Sequence, residues 1–232
     1  MSSGAVGANK WRVSEVLPVL DLSALPELRA MDNPPAKLSN LGSDFGLTAR
    51  IKNIVFTPRS EWRVIQAEPT SVSRLYFGYV MPMAAFAAVM SFVRMSVVGV
   101  DVPAGGTIRV SFASGAYASL LTFAMSLVGL YLVGLVINAL ASAFGGRPDQ
   151  RQALKTAAYA LTPAWLGTAL SFLPMGSLLQ FIAGLYGVYV LYIGLPVMMQ
   201  AKEDGAGGYA SSVVACALGV GILFGLGAAT LV

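Results

Sequence analysis

The hydroxyl and amide side chains set inside long apolar runs have the most scope for chemistry: Asn138, Thr162, Ser171, Ser177, Gln180, Tyr186, Tyr189 and Tyr192. A serine or tyrosine oxygen becomes a nucleophile only where a base takes its proton. The chain has no histidine, which excludes the hydrolase arrangements built on an imidazole base. No Lys, Arg, Asp or Glu lies between Thr156 and Ala201, so nothing replaces that base there. Cys216 is the single cysteine, which leaves no ordinary zinc or haem ligand set and no disulfide within the chain. These groups therefore read as packing or binding positions, and neither an enzyme activity nor a cofactor is expected.

The stretch that must position them, Thr156 to Ala201, is interrupted by Pro174-Met175-Gly176. A helix needs about 20 apolar residues to cross a bilayer, so the stretch predicts two spans joined by a tight turn. At about 100° per residue, Gly187 and Gly194 superimpose, with Gly184 and Gln180 close by. Tyr186, Tyr189 and Tyr192 fan over the opposite face. One face is smooth and suited to close packing; the other is aromatic and suited to a partner helix or an acyl chain.

Hydrophobic residues make up 56% of the chain and charged ones 11%, well below the soluble norm of about 25% charged. The pattern predicts an all-α integral membrane protein, a five-helix bundle with spans at about 75–97, 113–141, 156–172, 175–200 and 209–231. Pro82 should kink the first span, and Thr162-Pro163 the third, where proline frees a carbonyl and the threonine hydroxyl bonds nearby carbonyls. Asn138 should bond across a helix interface or cap the end of its span. Ala217, Gly221, Gly225 and Ala228 form a small-residue stripe, for packing within the bundle or against another membrane protein.

Residues 1–46 read as a flexible cytosolic tail, and Val16–Leu20 is too short for a secretory core. Leu47 to Gln66 reads as an amphipathic segment in the headgroup region, with Trp62 as its interfacial anchor after the break at Pro58. Arg50 and Lys52 are placed off its apolar face, and a helix packed below the bundle is the competing reading. Residues 47–232 then form the membrane domain.

The net charge of +4 implies no nucleic acid, because the basic residues are scattered among acidic ones and form no stripe. It is a topology signal. Nine basic residues precede the first span, three lie in the second loop and one in the fourth, against two and none on the alternate side. The N-terminus is therefore expected in the cytoplasm and the C-terminus opposite.

The run Ile51-Lys-Asn-Ile-Val-Phe-Thr-Pro-Arg-Ser-Glu-Trp62 with Glu68 resembles the N-terminal signature of the Yip (Ypt-interacting, YIPF) family. Tyr159-Ala-Leu-Thr-Pro163 and Leu185-Tyr-Gly-Val-Tyr-Val-Leu-Tyr-Ile-Gly-Leu-Pro196 resemble it too, in the family's order. The resemblance covers about residues 47–232 and is closest to the bacterial branch, which implies an inner-membrane bundle of five spans with a cytosolic N-terminus. Eukaryotic members are linked to Rab-type GTPases and vesicle formation; this chain lacks the Asp-Leu-Tyr-Gly-Pro type motif of that branch. The reading is a non-enzymatic scaffold or organiser of membrane partners or lipid. The alternative is a small transporter or permease subunit, for which ionisable residues inside the spans would be expected.

Overall fold

The computed structural model describes residues 46–101 and 105–229, with backbone only from 223 onward. The tail expected over residues 1–46 lies outside them, apart from Gly46. Two short helices, α1 (Leu47–Phe56) and α2 (Pro58–Ala67), form a hairpin that bends at Thr57. Proline at the start of α2 costs no hydrogen bond, because the first-turn N–H groups have no intrahelical acceptor.

A continuous helix, α3, runs over Val72–Val98. Pro82 follows a π-turn over Tyr76–Val80, in which the Met81 N–H reaches back to the Tyr76 carbonyl. A wider turn there gives the proline ring room against the carbonyl one turn back, which would otherwise have bonded to its N–H. A two-stranded antiparallel hairpin, β1 (Val100–Asp101) and β2 (Thr107–Ile108), follows, pairing Val100 with Ile108. Gly99 opens it at φ 95°, where a Cβ would lie 2.4 Å from Thr107 Cγ2. Helix α4 covers Phe112–Leu140.

The third expected span is not a single helix. It is α5 (Gln150–Ala160) and α6 (Thr162–Leu170), separated at Leu161. Pro163 falls in the first turn of α6, where its missing donor is tolerated, so a break replaces the kink. Asp149 caps α5, accepting from the N–H groups of Arg151 and Gln152. After the turn around Met175, at φ 60°, α7 spans Gly176–Met199 and contains Pro196. Helix α8 covers Ala206–Ala229.

Four helices among the described residues are long and apolar enough to cross a membrane: α3, α4, α7 and α8. Their contacts define two ends of the bundle. At one end, Arg94 at the close of α3 donates to the Ser171 carbonyl at 3.1 Å. At the other, the Arg147 N–H donates to the Met199 carbonyl at 2.7 Å, and Gln152 reaches the Gln66 carbonyl at 3.1 Å. The α1–α2 hairpin belongs to this second end, with the start of α5 and the close of α7. At this second end too, the buried Tyr209 in the first turn of α8 donates its hydroxyl to the Ile137 carbonyl of α4 and stacks on Phe144 at 5.0 Å.

Candidate functional site

Trp62 corrects the interfacial-anchor expectation: it is 0% exposed and lies in the protein core. Its indole N–H donates to the Val190 carbonyl at 3.1 Å, and its six-membered ring rests on Gly194 of α7. Tyr159 meets it edge-on at 6.4 Å, and Pro58 is buried at the head of the same helix. Trp62, expected in an interfacial helix, and Gly194, expected on a smooth helix face, thus form one joint. The indole needs a carbonyl partner when buried, and a glycine leaves the helix surface open to it.

Beneath this joint lies a set of charges that sequence reasoning placed wrongly. Arg50 is 5% exposed and Glu61 is 4% exposed. The Arg50 guanidinium donates to Glu61 Oε1 at 2.6 Å and to a Glu68 carboxylate oxygen, and lies 5.9 Å from the Tyr159 ring centroid. Lys155 is also buried, donating to the carbonyls of Ile65 at 2.9 Å and Glu68 at 2.6 Å. Burial pushes its ammonium below the ordinary range, with Glu68 and Asp149 pulling the other way. Paired in this way the charges tolerate burial; each left alone would not. The available signal was spacing, since Arg50 precedes Ile54 by four residues and so shares its buried face.

The helix break joins the same network. Thr162 is fully buried, its hydroxyl 2.6 Å from the Tyr79 hydroxyl and 3.4 Å from the Ala158 carbonyl that accepts from it. Tyr79 packs on Tyr159 with ring centroids 4.5 Å apart, and Pro163 is buried beside Thr162. Gly187 faces α5, where a Cβ would lie 2.8 Å from the Ala160 carbonyl oxygen.

The tyrosine face divides. Tyr186 is half-buried and donates to the Val55 carbonyl at 2.6 Å, tying α7 to α1. Tyr189 and Tyr192 are 42% and 43% exposed, on an open groove of about 580 Å³ between α7 and α8. Pro196 lies beside Tyr192 in a polar pocket with Arg59 and Arg63. Gln180 is exposed near the start of α7, and its backbone lies 3.6 Å from where a Cβ on Gly167 of α6 would stand. Asn138 Oδ1 is buried and has no hydrogen-bond partner in this structure. Gly221 has open space around it, and the side-chain surroundings of position 225 lie outside the described residues. A half-open cavity of about 210 Å³ beside the helix break is lined by Ala160, Leu161, Gly184, Gly187, Val213 and neighbouring apolar residues.

The family model for the Yip1 domain matches residues 52–225, which take in the hairpin joint, the helix break and the tyrosine segment. The chain belongs to the Yip1 domain family. Within this Yip1 domain, the three motif segments that are far apart in sequence meet at Trp62, Tyr159 and Val190. The chain is 27% identical over 161 residues to "Inner membrane protein YohC" of Escherichia coli strain K12, covering 68% of this chain and 83% of that protein. It is equally similar to the protein of that name from Escherichia coli O6:H1, 27% identical over the same length. No solved structure matches the chain.

Proposed function

We propose that this Yip1 domain protein is a non-enzymatic scaffold of a bacterial inner membrane, organising membrane partners or lipid through the groove between α7 and α8. The observation that carries this reading is a division of labour. Arg50, Glu61, Lys155 and Tyr186 are engaged in bonds within the hairpin or between it and the bundle, while Tyr189 and Tyr192 remain open on an apolar groove. An exposed aromatic groove suits an acyl chain or a partner helix. The name carried by its Escherichia coli relatives supports the membrane assignment.

In this reading the chain crosses five times, with α5 from residue 156 onward and α6 as the third crossing and Lys155 at its cytoplasmic edge. The two-ended contact pattern supports that path, because Arg94 and Ser171 share one end, while Arg147, Met199 and the hairpin share the other. The basic residues then place the hairpin end in the cytoplasm, with residues 1–46 as a cytosolic tail and the C-terminus opposite.

A small transporter or permease subunit remains the second reading, favoured by the helix break beside the half-open cavity. The apolar lining of that cavity weighs against it, since solute paths use polar or ionisable groups.

The test is in-cell photocrosslinking from a reactive residue at position 189. Capture of a discrete membrane protein or lipid is expected. Crosslinks confined to the same chain, together with solute flux in proteoliposomes, would replace the scaffold with the transporter.

A further inference from the structure

We infer that the pocket formed by Arg59, Arg63, Tyr192 and Glu203, with the α7–α8 groove leading from it, binds one molecule of an anionic glycerophospholipid. This deepens the scaffold reading and rests on it, by naming the lipid that the groove would take.

Arg59 and Arg63 are four residues apart on the outer face of α2, so their side chains rise side by side. Both are exposed, and neither has an ion-pair partner among the described residues. They face a pocket of about 290 Å³ whose other walls are Tyr192, Ile193, Pro196 and Val197 of α7 with Glu203 and Ala206. Two guanidiniums and one carboxylate give this pocket a net charge of +1. That balance suits a phosphodiester monoanion held between the arginines, with a headgroup hydroxyl donating to Glu203.

The adjoining groove accounts for the rest of the ligand. Tyr192 lines both the polar pocket and the groove, so the two adjoin at its side chain. From Tyr192 the groove follows α7 back to Leu185 and α8 forward from Gly207 to Leu218, with Val188, Tyr189 and Val214 between. The distance from Gly207 to Leu218 along a helix is about 16 Å. Half of a bilayer's hydrocarbon core is about 15 Å, so the groove is one leaflet deep. Its charged end lies at the helix termini and its apolar end toward the bilayer centre. A phosphate group alone would leave the groove empty, and an apolar chain alone would leave the arginines unpaired.

The experiment is native mass spectrometry of the full, delipidated protein titrated with phosphatidylglycerol, phosphatidylcholine or inorganic phosphate. Wild type should hold one phosphatidylglycerol more tightly than phosphatidylcholine. Removing both guanidiniums in Arg59→Ala/Arg63→Ala should weaken phosphatidylglycerol about 25-fold, at about fivefold per arginine, without lowering thermal stability. Lys52→Ala, an exposed charge on α1 outside the pocket, should leave affinity unchanged. Leu218→Trp, at a position 64% exposed, should fill the groove and weaken lipid binding.

Equal binding of the two lipids, an unaffected double arginine variant, or an equal loss in Lys52→Ala would overturn the site. So would inorganic phosphate competing as strongly as lipid, or Leu218→Trp binding like wild type, since the groove would then contribute nothing. The scaffold reading is tested separately. Crosslinks from position 189 to a partner protein would uphold it after the lipid site had fallen, and solute flux would sink it even with the lipid bound.

Discussion

The six-membered ring of Trp62 occupies the space that a side chain at Gly194 would need, since a Cβ there would lie 2.4 Å from Cε2 and 2.6 Å from Cζ2. The two residues are far apart in the chain, and their contact fixes the cytosolic hairpin of the proposed topology to the bundle. Gly194→Leu should expel the indole and break its bond to the Val190 carbonyl, costing about 3 kcal/mol or more. Trp62→Phe keeps most of the packing and should cost about 1 kcal/mol for the lost hydrogen bond. Thermal unfolding in detergent measures both, and equal losses would mean that the glycine seat is not what holds the ring.

Gly187 and Gly184 stand one helical turn apart yet should respond in opposite ways. A Cβ at Gly187 would press on the Ala160 backbone oxygen at 2.8 Å, whereas one at Gly184 meets nothing within 4 Å. Gly187→Ala should therefore destabilise the bundle, because a backbone atom cannot swing aside. Gly184→Ala should be neutral or stabilise by up to about 1 kcal/mol through helix propensity. Matching melting temperatures for the two variants would contradict this seam.

Arg50 offers a test of the buried charges. Arg50→Met leaves the Glu61 carboxylate buried without its guanidinium, and should cost about 3–5 kcal/mol. The double variant Arg50→Met/Glu61→Met should recover much of that loss. Limited proteolysis of the hairpin reports the effect, and a double variant as labile as the single one would show that the pair itself supplies the stability.

Tyr186 and Tyr189 have rings 5.7 Å apart but different duties. Tyr186→Phe removes the bond to the Val55 carbonyl and should cost about 1 kcal/mol. Tyr189→Ala should leave folding intact and reduce contact with whatever occupies the groove. If Tyr189→Ala unfolds the protein, the exposed tyrosine is a core residue and the groove loses its recognition role.

Lys155 should give alkaline pH a measurable signature. Burial, the largest influence, depresses its ammonium below the ordinary lysine value of 10.5; Arg50 and Arg151 push the same way, against Glu68 and Asp149. The native state therefore releases this proton at a lower pH than the unfolded chain does. Its contribution to stability rises with pH from the native value toward 10.5. Lys155→Met does not titrate, so the stability of wild type relative to this variant should grow over that window. A flat or shrinking difference, read by thermal unfolding, would contradict the sign.

The sequence by itself determined the membrane character, the family and the extents of the long helices, because uncharged runs near 20 residues have few alternatives to a bilayer-length helix. It also determined that Gly187 and Gly194 share a packing face, since helical period alone sets that alignment. Which surface each face meets was decided by tertiary structure. Trp62 has the composition of an interfacial anchor, and only the opening at Gly194 and the carbonyl of Val190 draw it inward. Arg50 and Lys155 have the composition of surface or loop charges, and only Glu61, Glu68 and the hairpin carbonyls make their burial tolerable. Thr162-Pro163 carries the same chemistry in a kink as in a break, so the outcome depended on what Thr162 could bond once the helix ended. Its partner is Tyr79, 83 residues away, and local spacing does not encode a partner at that separation.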